Sequence, residues 1–418
     1  MAAVSTQQTR RVDARRIAAG LLAAVLLVAS LAGAWAVDAV ADLRPAPNEY
    51  NVGAWEVRNF PGRWLFLAGQ LIRGTPSETE QDETLRRFFE LNARIDSLGN
   101  ENSDALSRGD VVNSAVVQEL NTLIEEREGI ENQVEATLEW RLSQVIEDEG
   151  LTRDLIWDVV WPPVDAEFTD APRALARSPR DRIELLGSSL LREDLTLPEA
   201  EAIEAEVAQS QDVAALSFGT SGIGAYPTII DQPTDYRRAL EVIAHEWMHN
   251  YLFFRPLGFN YYGSNDLRTI NETVADLTGR ELAARVMERW PLQEPAPEPS
   301  QVAVPLERGL DLRAELRMLR GEVDVLLEAG RIEEAEALME QRRQELADEG
   351  YFIRKINQAY FAYLNLYAGE DGSAAATNPI GPKIDELRQR TASLRQFVEI
   401  IGGVTSVEEL DEALSELE

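Results

Sequence analysis

The apolar positions near the start of the chain form one long uninterrupted run. Residues 17 to 37 contain no charged side chain, and about 20 apolar residues are what a membrane-spanning helix requires. Four arginines precede the run, and Asp38 and Asp42 follow it. Because basic residues stay on the cytoplasmic side, the pattern predicts a single-pass anchor of a bacterial-type cell membrane through residues 17–37. The rest of the chain is then extracytoplasmic.

A second interpretation of the same segment is a cleaved signal peptide. Ala34-Trp35-Ala36 has the small-x-small pattern of a cleavage site. The apolar run is longer than the core of a typical signal peptide, which favours a retained anchor. Both interpretations deliver the remaining chain to an extracytoplasmic compartment. A later apolar run at residues 65–72 is too short to span a membrane.

Helical periodicity dominates residues 77–148. Phe88, Leu91, Ile95 and Leu98 step by three and four, and a second series of this spacing ends near residue 138. The intervening sequence GNENSDALSRGD, at residues 99–110, has the composition of a turn. The pattern predicts two antiparallel helices.

The pattern changes after residue 150. Residues 156–161 and 213–230 are rich in β-branched residues, and the second segment is also rich in glycine, which indicates strands of a small sheet. Helical patterns follow at residues 235–253 and 265–290, and two further amphipathic stretches occupy residues 306–349 and 352–368. The chain is therefore expected to belong to the α+β class and to be largely helical.

These patterns also suggest the order of domains along the chain. They are a cytoplasmic N-terminus with its anchor (1–42), a helical hairpin region (43–150), a domain of strands and helices (151–290), a proline-rich linker (291–305) and a C-terminal helical region (306–418).

Composition narrows the chemistry that the chain can perform. The formal net charge of −33 argues against nucleic acid as a partner, because phosphate binding needs a basic surface. The absence of cysteine excludes disulfides, thiolate metal sites and cysteine nucleophiles. There are two histidines, His245 and His249. Any chemistry that depends on histidine must therefore use one of these two residues.

Both histidines belong to one H-E-x-x-H motif, formed by residues 245–249. Residues four apart share one face of a helix, so both imidazoles can reach the same Zn²⁺ ion. Glu246 is one position further round the helix, where it can take a proton from the metal-bound water instead of binding the metal. The motif predicts a helix that carries two zinc ligands and a general base.

A catalytic zinc ion needs a third protein ligand and an open position. Metzincins place a third histidine where this chain has Arg255, so that class is excluded. The other common source is a glutamate on a following helix. Glu272 and Asp276 are one helical turn apart in N-E-T-V-A-D. Glu272 can bind the metal while Asp276 accepts a hydrogen bond from a ligand histidine.

H-E-x-x-H followed by N-E-x-x-x-D resembles the signature of the gluzincins, which include thermolysin-like peptidases and large zinc aminopeptidases. The resemblance covers about residues 210 to 290 and implies a zincin-like catalytic unit with one Zn²⁺. It implies that His245, His249 and Glu272 bind the metal, that Glu246 is the general base and that Asp276 supports a ligand. The C-terminal stretch loosely resembles that of bacterial membrane-linked aminopeptidases.

The same resemblance implies a substrate-binding edge strand before the motif helix. Gly222, Gly224 and Ala225 occupy that position, and the glycines would let a peptide approach closely. The glutamate with which large aminopeptidases hold a free amino terminus is missing from this segment. Aminopeptidase specificity therefore stays open.

Gluzincins of the thermolysin type stabilise the oxyanion with a further histidine, which this chain lacks. A tyrosine or an arginine must serve instead. Tyr360, on an aromatic-rich helical segment, is the first candidate, followed by Tyr363, Tyr261 and Tyr262. An aromatic residue in such a segment can equally belong to the core.

We therefore expect a membrane-anchored metallopeptidase that hydrolyses peptide bonds of a peptide or protein substrate through a zinc-bound water, with Glu246 as the base. One alternative is a non-catalytic membrane scaffold whose zinc site is structural or vestigial. Another is a zinc hydrolase of a non-peptide substrate, because water activation is the same for any carbonyl.

Overall fold

A computed structural model describes most of the chain after residue 47. The described residues are 48–56, 58–59, 76–107, 114–154, 158–292, 311–366 and 378–417. One compact unit comprises Asn48–Tyr50 and Ser77–Glu418, and it contains nearly all of them. The predicted anchor at residues 17–37 and the apolar run at 65–72 lie outside the described residues. Within the described part, no helix is long and apolar enough to cross a membrane.

The described unit is mostly helical with small sheets, which agrees with the α+β class. The strands are β1 (Arg153–Asp154), β2 (Asp158–Val159), β3 (Ala166–Phe168), β4 (Arg173–Pro179), β5 (Gly187–Leu191), β6 (Val213–Gly219), β7 (Gly222–Ile223) and β8 (Thr228–Ile230). The helices are α1 (Glu78–Ser107), α2 (Ser114–Asp148), α3 (Leu197–Gln211), α4 (Tyr236–Leu252), α5 (Pro256–Phe259), α6 (Asn265–Arg289), α7 (Leu312–Glu328), α8 (Ile332–Asp348), α9 (Gln358–Leu364), α10 (Ile380–Arg390), α11 (Leu394–Ile401) and α12 (Val407–Glu416).

Helices α1 and α2 form the predicted antiparallel hairpin. Arg87 pairs with Glu126 at 2.7 Å, and Arg94 pairs with Glu119 at 2.9 Å, so the two sequences run in opposite directions. The predicted turn at residues 99–110 begins too early, because α1 continues to Ser107. No proline interrupts that segment, and helix formation therefore persists beyond the turn-like composition.

The strands form two small three-stranded sheets and one two-stranded ribbon. One sheet has the order β5-β4-β6 and is antiparallel. The other has the order β3-β8-β7, in which β3 and β8 are parallel and β7 is an edge strand. Two glutamates of α2, Glu135 and Glu139, accept hydrogen bonds from the backbone N–H groups of Phe168 and Ala166 at 2.8 and 2.9 Å. The helical hairpin is thereby attached to β3.

The two helices predicted around the motif residues are present as α4 and α6. The Asp235 carboxylate accepts a hydrogen bond from Arg238 N at 2.8 Å and caps α4. The Ser264 hydroxyl accepts a hydrogen bond from Leu267 N at 3.1 Å and caps α6. The apolar residues along one side of α4, from Tyr236 through Trp247, are buried.

One hydrophobic core joins segments that lie far apart in sequence. It contains residues of the hairpin (Phe88, Leu138), of the motif helices (Trp247, Val274) and of the C-terminal helices α10 to α12. Helices α7 to α9 form a separate cluster, which packs towards the β5-β4-β6 sheet. Most of the predicted proline-rich linker lies outside the described residues. This core contains residues from both sides of the predicted domain boundaries at 150 and 290. Those boundaries stay predictions.

Candidate metal centre

The predicted ligands lie on two helices that pack directly on each other. Helix α4 carries His245 and His249, and α6 carries Glu272 and Asp276. All of these side chains are at most a quarter exposed. Because the two helices contribute one face each, the four predicted residues converge between them.

Each histidine is oriented by a hydrogen bond at its Nδ1 atom. Asp276 was predicted to accept a hydrogen bond from one of the two histidines, and His245 Nδ1 lies 3.0 Å from its carboxylate. His249 Nδ1 is 2.7 Å from Asn271 Oδ1, a contact that was not predicted from the sequence. Both oxygens are acceptors, so both Nδ1 atoms donate, and in the neutral form of each imidazole the lone pair is on Nε2. Those lone pairs are available for a metal.

The two Nε2 atoms and one carboxylate oxygen converge on a common point. The Nε2 atoms of His245 and His249 are 3.0 Å apart, and Glu272 Oε2 is 3.5 Å from each of them. In the plane of these three atoms, one point is equidistant from all of them, at about 1.9 Å from each. This distance is close to the roughly 2.0–2.1 Å of bonds from zinc to nitrogen or oxygen. Two imidazoles and one carboxylate are a donor set of catalytic zinc sites. The residues present therefore fit this metal.

Glu246 also lies close to the histidines. Donor atoms of His245, Glu246 and His249 lie within 4.8 Å of one another, and this cluster could hold a metal ion. Glu272 is also placed to supply a third donor atom, because its Oε2 is 3.5 Å from both Nε2 atoms. A metal held by Glu272 would leave the carboxylate of Glu246 unbound beside it.

The charges around the site favour a cation at the common point. Burial by itself would raise the pKa of Glu272, but the nearby histidines hold the pKa well below its usual range. Burial would lower the pKa of His245, but its contacts with Asp276 and Glu272 raise the pKa well above its usual value. For Glu246 burial dominates, and the pKa of its carboxyl is raised. A metal cation would meet the same stabilising field.

The predicted substrate segment lies against the motif helix. A β-carbon built on Gly222 would be 2.9 Å from both Cγ and Oε1 of Glu246. A β-carbon built on Gly224 would be 3.2 Å from Cβ of His249. The backbone carbonyl of Ala225 accepts a hydrogen bond from Asn250 Nδ2 at 3.1 Å, which ties this segment to α4. The structure thus brings all three predicted residues next to α4.

Tyr360, the first candidate for the oxyanion partner, belongs to hydrophobic packing on α9. Its ring lies 6.4 Å from that of Phe218 in β6, and burial raises the pKa of its phenol to about 12. Tyr261 instead reaches the candidate metal centre. Its hydroxyl donates a hydrogen bond to Glu272 Oε1 at 2.5 Å, and its ring packs edge-on against His249. The contacts therefore favour Tyr261 over Tyr360.

Two residues near this centre, Asn271 and Arg268, were not predicted from the sequence. Asn271 directly precedes Glu272, but adjacent helical residues point in different directions, so the sequence did not indicate a shared site. Arg268 is one turn before Glu272 on the same face of α6, and its guanidinium lies 5.6 Å from the ring centroid of Tyr261. Its spacing of four residues from Glu272 is the sequence feature that could have indicated a place near the site.

Comparison with protein-family models, with curated proteins and with solved structures finds no match to this chain. The assignment of a function depends on the residues and their geometry.

Proposed function

We propose that the protein is a zinc-dependent peptidase of the gluzincin type. The observation that carries the proposal is the convergence of His245 Nε2, His249 Nε2 and Glu272 Oε2 on one point. With neutral imidazoles, these three atoms are all acceptors, and they repel one another unless a cation lies between them. A zinc ion held there would act as a Lewis acid and would make a bound water more acidic.

The chain's own residues supply the proton transfers. Glu246 is buried beside the two histidines and makes no ion pair with a lysine or arginine of the described chain. Its raised pKa suits a carboxylate that accepts the proton of the attacking water and then donates it to the leaving amine. Asp276 and Asn271 hold the imidazoles in orientation during this cycle.

A peptide substrate is favoured by the position of β7. Within the described residues, β7 pairs with β8 on one side only, which leaves an edge for an extended peptide to join by backbone hydrogen bonds. Gly222 brings this strand against Glu246, so a peptide along β7 would pass the proposed base. A non-peptide substrate would have no use for such an edge.

The proposal is tested on the full-length protein in mild detergent with a mixture of peptides, using mass spectrometry to detect cleavage. We expect cleavage by the zinc-loaded protein, loss on chelation and recovery on adding zinc. Glu246→Gln should keep its zinc and its melting temperature but lose turnover by more than the ~10²–10⁴ typical of a general base, because the residue acts twice.

Two results would contradict the proposal. Zinc-independent cleavage would separate the activity from this centre. A zinc-loaded wild type that cleaves none of the peptides would favour the scaffold or a non-peptide hydrolase. Membrane anchoring and an extracytoplasmic location stay predictions, and reporter fusions after Asp42 and at the C-terminus test them.

A further inference from the structure

Arg268 is a buried cation without an acidic partner among the residues that the structure describes. Its side chain belongs to α6, it is 9% exposed, and it makes no ion pair or side-chain hydrogen bond with the described chain. Two of its nitrogens, Nε and Nη1, are fully buried without an acceptor in that part of the protein. Buried donors without acceptors are costly, so an arginine kept in this condition suggests a ligand that supplies the acceptor.

The surroundings of Arg268 hold its guanidinium in place without neutralising its charge. The rings of Tyr261 and Tyr262 each lie 5.6 Å from its Cζ atom, at cation–π distance. Such contacts leave the in-plane N–H groups of the guanidinium free to donate. The guanidinium group can bind a carboxylate through two pairs of nitrogens, Nε with Nη2 or Nη1 with Nη2. Each pair contains one of the two buried donors, so a carboxylate bound to either pair would satisfy one of them.

The position of Arg268 relates it to the candidate metal centre. Arg268, Glu272 and Asp276 are spaced by four residues and therefore share one face of α6. One helical turn separates Arg268 from Glu272, a rise of about 6 Å. Both side chains also contact Tyr261, whose hydroxyl binds Glu272 and whose ring centroid lies 5.6 Å from Cζ of Arg268. Arg268 and the candidate metal centre therefore belong to one neighbourhood.

We propose that Arg268 binds a carboxylate of the peptide substrate and so determines specificity. The inference rests on the proposed peptidase function. The carboxylate can be the C-terminus of the substrate or an aspartate or glutamate side chain close to the cleaved bond. Both present the same two oxygens to the guanidinium fork. Tyr261 links the two parts of the site, because its ring lies against Arg268 while its hydroxyl binds Glu272.

The first experiment compares matched peptides on the full-length, zinc-loaded protein. One pair differs in a free or amidated C-terminus, and a second pair differs in aspartate or asparagine next to the cleaved bond. We expect one of the carboxylate peptides to have a kcat/KM about 10–100-fold higher than its amide, mainly through KM. Arg268→Met should bring that ratio close to one, and Arg268→Lys should give an intermediate ratio because it lacks the fork.

Arg320→Met is the matched control. Arg320 is equally buried and lies 5.9 Å from the ring of Phe361, but it pairs with Asp324 in a different cluster. This variant should keep the wild-type ratio. A wild type that shows no preference in either pair would overturn the proposal, as would an Arg268 variant that slows all four peptides equally.

A binding measurement separates this inference from the proposed function. If no peptide is cleaved, isothermal titration with the same two pairs of peptides, acid against C-terminal amide and aspartate against asparagine, still tests Arg268. Tighter binding of the carboxylate member of one pair by the wild type, lost in Arg268→Met and kept in Arg320→Met, supports a carboxylate site in a protein that is not a peptidase. Equal binding within both pairs contradicts it. Arg268→Lys replaces Arg268→Met if the latter melts at a much lower temperature.

Discussion

Gly279 of α6 lies directly against the backbone of His245 of α4. A β-carbon at position 279 would be 3.1 Å from His245 N and 2.9 Å from the carbonyl oxygen of Glu241. Gly279 is two helical turns after Glu272 and on the same side of α6. The absence of a side chain therefore sets how closely the two helices approach, and with it the reach of Glu272 and Asp276 to the histidines.

Gly279→Ala should push α6 away from α4. Overpacking of this kind costs about 1–3 kcal/mol of folding free energy, and the displaced Glu272 should bind zinc more weakly. Thermal melting and a competitive zinc titration measure the two effects. Gly321→Ala is the control, because nothing lies within 4 Å of a β-carbon there, and alanine in a helix should stabilise the protein by about 1 kcal/mol. If Gly279→Ala bound zinc with unchanged affinity, the close approach of α6 to α4 would not be needed for zinc binding.

The ligand assignment predicts close to one zinc ion per chain in the purified protein. His245→Ala and Glu272→Ala should each lose most of it, because a catalytic site retains only two ligands after either change. Elemental analysis after dialysis gives the ratio. Glu288→Ala, an exposed glutamate on the same helix, should bind zinc like the wild type. If both variants kept one zinc ion per chain, His245 and Glu272 would not be metal ligands.

The hydrogen bond from Tyr261 to Glu272 predicts different effects for two tyrosines. Tyr261→Phe should lower zinc affinity about 10–100-fold, as loss of a partner of a metal ligand typically does. Tyr360→Phe should change neither zinc affinity nor turnover, since in the described part of the chain the ring contacts of Tyr360 are with Phe218 and Phe361 and not with the centre. If Tyr360→Phe instead slows turnover ~10²–10³-fold with normal zinc content, Tyr360 is the oxyanion donor after all.

Glu204 predicts an acid-sensitive part of the fold. Its carboxylate, only 1% exposed, accepts hydrogen bonds from Arg354 at 2.5 Å and Lys355 at 2.6 Å, and from Ser217 N at 2.8 Å. Burial alone would raise the pKa of Glu204, but these partners lower it to about 2. A lowered pKa means that the stabilisation is complete above the ordinary value near 4.5 and disappears as the pH falls towards 2.

Glu204→Gln should therefore lower the free energy of unfolding by about 3 kcal/mol at pH 7 and by much less near pH 2. Urea unfolding of the metal-free protein across this pH range measures the difference. Glu201→Gln is the matched control, because Glu201 is half exposed and 3.8 Å from Arg354. A difference between wild type and Glu204→Gln that does not change with pH would assign the effect to packing alone.

Local periodicity made much of this structure predictable. The three- and four-residue spacing of apolar positions predicted α1, α2, α4 and α6, and the β-branched segment at residues 213–230 predicted β6, β7 and β8. Asp276 was predicted to contact one of the two histidines, and the structure shows that this histidine is His245. The strands β4 and β5 were missed, since their residues do not show the alternation of a half-buried strand.

The sequence by itself determined which residues share a helix face, because a helix repeats every 3.6 residues whatever surrounds it. His245 and His249, and likewise Glu272 and Asp276, follow from that rule. Only the tertiary structure decided how the two faces meet. Contacts between α4, α6 and the segment that joins them bring four further residues to the centre: Asn271, Tyr261, Arg268 and Gly279. Such contacts depend on the packing of a core whose parts lie far apart along the chain, and no local pattern encodes that packing.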